Sequence, residues 1–181
     1  MAGKSVVDAN YRFIAAYQEV NARISQRQQA LALYVTLTVS LLAALVALRP
    51  SRDSVPVEWL VLGFPVASLS FAFLNYKAER AITNLRRFLS ALERLEDNHV
   101  LLPSYNTDPQ WALGANKARR FHDFAAAVLV TGGNAIGLGA ALSIYPQNLA
   151  ASISIGASAL IAMVSVLALL LSPRWSYTPG D

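Results

Sequence analysis

The chain has 181 residues, of which 15 Lys or Arg and 11 Asp or Glu make up only 14%, against the ~25% usual in a soluble domain. It contains no cysteine, which excludes disulfides, thiolate nucleophiles, Cys-held zinc or iron–sulfur clusters and thiol lipidation. A net charge of +4 is too small by itself to argue for nucleic acid as a partner, while a hydrophobic share of 55% is more than a soluble fold of this size readily hides.

Residues 1–29 read as an amphipathic helix. Ser5-Val6-Val7-Asp8 has the spacing of a capping box, and Val7, Tyr11, Ile14, Tyr17, Val20 and Ile24 recur every three or four positions. The segment lacks the apolar run and small-residue cleavage site of a signal peptide, so the span that follows is expected to serve as the insertion signal. Four charge-free runs come next: Ala30 to Leu48, Trp59 to Tyr76, Phe124 to Ile144, and Leu149 to Leu171. Each is long enough, or nearly so, for the roughly 20 helical residues that cross a bilayer. The competing reading, four helices buried in a soluble core, must place four such runs around one centre.

Turn residues between the runs (Pro50, Ser51, Asp53, Ser54 and Pro56; then Tyr145-Pro146-Gln147-Asn148) make two helical hairpins, 30–76 and 121–172. Of the basic residues, 13 fall before the first run, between the second and third, or after the fourth, whereas only Arg49 and Arg52 lie on the other side. The positive-inside rule therefore places both termini, the 77–120 segment and the 173–181 tail in the cytoplasm of a plasma-membrane, multi-pass protein. The fold expected is an all-α, polytopic four-helix membrane protein with cytoplasmic helical extensions.

Beyond the second run, Ala78, Ala81, Leu85, Phe88, Leu92 and Leu95 form a heptad seam on a helix that leaves the membrane without a break. Three partners suit such a seam: the N-terminal helix packed as an antiparallel stalk, the membrane surface, or a second copy of the chain. Leu101, Leu102, Pro103 and Ser104 end that helix; Asp108 then suits an N-cap and Pro109 the first position of another. That helix carries Lys117, Arg119 and Arg120 to the membrane, either as a topology anchor or as a site for lipid headgroups or another anionic ligand.

Candidates for chemistry are few. His99 sits near a helix end, and His122 and Asp123 are neighbours that point about 100° apart on a helix, which makes no base and orienting carboxylate. None of the standard catalytic, phosphate-loop, metal or DNA-binding motifs occurs, and none of the four runs holds an ionisable residue for an ion-coupled carrier. No catalytic set, cofactor or metal is expected, and no nucleic-acid partner. In the third run Gly133, Asn134 and Gly137 form a GxxxG step beside Thr131. It reads either as close helix packing or, in an oligomer, as a polar pore lining with Asn134 its most informative residue.

Arg23 to Gln29 before the first run, the seam from Ala78 to Leu95, and Ala118 to His122 before the third give the chain a layout that resembles the small SLATT-type membrane proteins of bacteria. The resemblance covers about the first half of the chain and carries over no functional residue. It implies a membrane-perturbing effector in nucleotide-signalled conflict systems. The residues themselves point to a non-enzymatic, oligomeric membrane interaction or effector protein that relays a cytoplasmic signal from a protein or anionic ligand, with a small oligomeric channel or uncoupled transporter as the alternative.

Overall fold

The computed structural model describes residues 8–48, 57–95, 100, 104–144 and 149–179. Ser5 of the capping box, the turns at 49–56 and 145–148, His99, and Leu101 to Pro103 lie outside them, as does the side chain of Trp59. The described residues form helices and no strand: α1 (Ala9–Ala47), a 3₁₀ turn (Val57–Leu62), α2 (Gly63–Glu93), α3 (Pro109–Ile144), α4 (Leu149–Leu171) and a closing 3₁₀ turn (Ser172–Trp175). All four long helices contain a stretch apolar enough to cross a membrane.

Local chemistry sets the helix starts. The Asp8 carboxylate accepts from the Asn10 amide at the start of α1, and Asp108 Oδ1 accepts from the Gln110 amide 2.8 Å away at the start of α3. Pro109 follows at the first position, where its missing N–H costs nothing. Regular α2 geometry begins only at Gly63, with Pro65 in its first turn. The second charge-free run therefore enters through the 3₁₀ turn.

Side-chain pairings give the directions. Val20 packs with Leu89, Tyr34 with Phe71 and Leu45 with Val61, so α1 and α2 run antiparallel. Ala126 of α3 joins Tyr34 and Phe71, while Ala141 joins Leu45 and Val61, which sets α3 parallel to α1. Leu169, near the end of α4, meets that same Ala126 layer. The bundle is up-down-up-down, with α1 and α4 on opposite corners.

Small inward residues (Ala67, Ala72, Ala126 and Ala127) let the helices approach closely. The outer surface carries Leu33, Val39, Val66, Phe73, Val128, Ile136, Ile153 and Leu160, all exposed. An apolar face turned outward on every helix is the arrangement expected in a bilayer, where lipid tails are as apolar as leucine.

The glycine step of α3 is used within the chain. A Cβ on Gly133 would come within 3.0 Å of Thr38 and 3.1 Å of Tyr34 on α1, and one on Gly137 would meet the Phe64 ring at 2.7 Å. Both glycines thus serve packing between helices of one molecule.

Candidate functional site

Where the charge-free runs end, three charged side chains converge in the middle of the bundle. Arg27 of α1 is 5% exposed, Glu79 of α2 1% and Asp123 of α3 1%. Each lies within three residues of a charge-free run. The guanidinium divides itself among three partners: Nε donates to Asn75 Oδ1 at 2.6 Å, Nη1 to Glu79 Oε2 at 3.2 Å, and Nη2 to Asp123 Oδ1. Asn75 closes the ring by donating from Nδ2 to Asp123 Oδ1 at 3.0 Å. The other Glu79 oxygen accepts from Ser176 Oγ at 3.0 Å and lies 3.8 Å from Arg119 Nη1. Planar, fork-shaped donors suit such multi-partner contacts, which a lysine could not reproduce. We call this arrangement the clamp.

A second polar layer lies farther from the apolar runs. Arg86, 4% exposed, donates from Nε to Asn106 Oδ1 at 3.1 Å and from Nη1 to Asn116 Oδ1 at 3.0 Å. Its guanidinium carbon lies 5.0 Å from the Tyr177 ring centroid and 5.9 Å from that of Tyr105. Nη2 is buried without a hydrogen-bond partner, and among the described residues Arg86 forms no ion pair. Burial and then the repulsion of Arg119 push Arg86 below the ordinary guanidinium range. Arg119 is pushed down by burial, against the opposing pull of Glu79. Glu93 is consumed locally, taking Asn106 Nδ2 on one oxygen, and the Asn106 amide and Ser104 Oγ on the other.

The tail folds back onto this layer. Thr83 Oγ1 donates to the Trp175 carbonyl at 3.0 Å, Asn116 Nδ2 to the Tyr177 carbonyl at 2.6 Å, and Tyr177 Oη to the Asn106 carbonyl at 2.9 Å. Trp175 meets Tyr76 edge to face at 5.2 Å. Tyr177 is 2% exposed. A segment that reads as a short tail is thus a strap across α2 and α3.

The residues singled out from sequence are distributed unevenly across these layers. Asn134 is buried and donates from Nδ2 to Ser68 Oγ at 2.6 Å and to the Val130 carbonyl at 2.8 Å; Ser68 in turn lies 3.3 Å from Tyr34 Oη. Thr131 returns its hydroxyl to the Ala127 carbonyl. Of the basic trio, Arg119 turns inward to Glu79, while Lys117 and Arg120 are exposed. His122 is half-buried, its Nε2 without a partner.

On α2, Ala81, Leu85 and Leu92 are half-buried, and Phe88 and Leu95 are exposed. The buried stripe is Asn75, Glu79, Ile82, Arg86 and Leu89, which is the expected seam displaced by one residue, about 100° around the helix. Polar residues can occupy it because partners on α1, α3 and the tail meet them. Likewise α1 packs through Phe13, Ala16 and Val20, while Tyr11, Ile14 and Tyr17 face outward.

Among the described residues no three His, Asp or Glu side chains gather as a metal site. No protein-family model, curated protein or solved structure matches the chain.

Proposed function

We propose that the chain is a non-enzymatic membrane interaction or effector protein that relays the state of its helical extensions to its spans. In this reading it crosses the plasma membrane four times, with both termini and the extensions in the cytoplasm. One observation carries the relay: Arg27 joins α1, α2 and α3 through buried, charge-assisted bonds, and α1 and α2 run from the extensions past that point without a helical break. A rotation of either extension must then be taken up by the clamp or passed into the spans, since a packed interior does not deform continuously. The basic asymmetry supports the orientation, and the apolar outer surface supports the membrane itself. The layout resemblance to SLATT-type effectors points the same way.

The channel reading leans on Asn134, and the turning of that residue into the bundle, onto Ser68, favours packing.

Hydrogen exchange on the protein in lipid nanodiscs tests the relay. Leu89→Asp, which breaks the α1–α2 contact in the extensions, is expected to raise exchange in residues 124–144, and Arg27→Met is expected to uncouple the two regions. Spans indifferent to Leu89→Asp would refute the relay. A steady, ion-selective conductance in liposomes that Asn134→Leu alters would establish the channel instead.

A further inference from the structure

The charges of the clamp balance. Arg27 and Arg119 face Glu79 and Asp123, and every one of these four side chains makes an ion pair. Arg86 is left over: a guanidinium 4% exposed, held by two neutral asparagine oxygens, with Nη2 unpartnered. A buried charge without a counter-charge is expensive, and the usual remedy is an ion of opposite sign.

Space for one adjoins it. A half-open cleft of about 550 Å³ lies between the α1, α2 and α3 extensions, with Arg86 and Arg119 in its wall, Phe13 and Leu89 in its apolar lining, and the largely exposed rings of Tyr17 and Tyr105 bordering it. That volume falls within the ~300–1,000 Å³ of small-molecule sites. Glu93 also lines it, hydrogen-bonded to Ser104 and Asn106, so the wall sets two guanidiniums, Arg119 being shared with Glu79, against one carboxylate. A mostly apolar chamber with two guanidiniums calls for a ligand with one anionic end and an apolar body.

We propose that this cavity binds a small organic anion, its carboxylate or similar head on Arg86 and Arg119 and its apolar part against the aromatic wall. The ligand is the cytoplasmic signal of the relay, and to that extent the proposal rests on the relay reading. Occupancy would hold three helices at one spacing, because the wall is shared among α1, α2 and α3. Two sources supply such chemistry: an amphiphile shed from the membrane, or a soluble aromatic acid.

The test uses the full chain in phosphatidylcholine nanodiscs, with empty nanodiscs as the blank, titrated by calorimetry with decanoate, 1-naphthoate and inorganic phosphate. Saturable binding of one molecule of decanoate or 1-naphthoate per chain is expected, with little binding of phosphate. Preference for decanoate identifies the amphiphile, and preference for 1-naphthoate the aromatic acid. Arg86→Gln should weaken binding at least tenfold. Ala115→Phe, which fills the cavity and leaves both arginines, should abolish binding while the thermal transition persists, and the exposed Arg120→Gln should change nothing. No saturable binding of either organic acid, binding indifferent to both Arg86→Gln and Ala115→Phe, or phosphate binding as tightly as the organic acids would overturn the proposal. Binding with no change of exchange in residues 124–144 would leave the site standing and refute the relay alone.

Discussion

Replacing Arg27 by Met removes the one side chain that touches Asn75, Glu79 and Asp123 together. Methionine nearly fills the space, so the loss is electrostatic rather than a cavity. Glu79 keeps Ser176 at 3.0 Å and Arg119 at 3.8 Å, whereas among the described residues Asp123 keeps only the Asn75 amide at 3.0 Å, and a 1% exposed carboxylate is stranded. Breaking a buried pair in this way costs about 3–5 kcal/mol, and at roughly 2–4 °C per kcal/mol for a chain of this size the melting temperature should fall by about 6–20 °C. Arg27→Lys should fall between wild type and Met, since one ammonium cannot serve three partners in the plane of a fork. The control is Arg23→Met, whose pair with Glu19 is 36% and 44% exposed and should contribute about 0–1 kcal/mol. Thermal or denaturant unfolding in one detergent, followed by circular dichroism, reads all three. Adding Asp123→Asn to Arg27→Met should restore part of the loss, because it removes the stranded charge. A melting temperature for Arg27→Met equal to that of Arg23→Met would refute the clamp as a source of stability.

Gly137→Ala should destabilise by about 1–3 kcal/mol through overpacking, because its Cβ would sit 2.7 Å from the buried Phe64 ring; Gly139→Ala, with nothing within 4 Å, is the matched control in the same unfolding assay. Leu89→Ala should cost about 2–5 kcal/mol and Phe88→Ser less than about 0.5 kcal/mol, since Leu89 is 2% and Phe88 43% exposed; equal losses would place the buried face one residue back. Tyr177→Ala should cost about 3–5 kcal/mol and increase proteolysis of the tail, whereas an unchanged protein would refute the strap. In the cysteine-free background, single cysteines at Ser54 and Gln147 should react with an impermeant thiol reagent on intact cells and one at the exposed Lys117 should not; the opposite pattern would reverse the membrane orientation.

The four helices were legible because long charge-free apolar runs and the turn residues between them can be counted directly from the sequence. The rotation of α2 was not. Periodicity counts apolar residues, and Ala78, Ala81, Leu85 and Phe88 keep the heptad spacing as faithfully as any core stripe. The inward stripe contains Asn75, Glu79 and Arg86, residues that look like an exposed face until their partners are known, and those partners lie 48 positions away for Asn75 and 52 for Glu79 along the chain from Arg27. One signal was present: Glu79 and Asp123 are acidic residues flanking spans at the end where basic residues otherwise gather. Two acids placed against the positive-inside trend, opposite an arginine at the same level, mark a buried pair more specifically than they mark a topology anchor. The strap gave less warning. Ser176 and Tyr177 follow Pro173 in a polar, turn-rich segment, and nothing local tells a folded-back tail from a solvated one.

The position of the clamp explains why charge is tolerated at all. In the proposed membrane reading, lipid around the spans supplies little hydrophobic drive to bring helices together, and contacts among Ala67, Ala72, Ala126 and Ala127 are shape-matched but weakly specific in rotation. Farther out, water would screen an ion pair. At the boundary between these regimes Arg27, Glu79 and Asp123 are dry enough to interact strongly and close enough to the polar layer for Ser176, Asn75 and Arg119 to satisfy their remaining atoms. A rotation of α2 by one residue would exchange Glu79 for Ala78 or Arg80 facing Arg27, so the clamp selects one rotational register out of several that the alanine contacts alone would accept. At the far end of the bundle the described residues Leu45, Val61 and Ala141 make an apolar contact, without an ion pair of this kind among the described residues. Under the proposed relay, movement of the extensions therefore pivots at the clamp and is expressed at that far end.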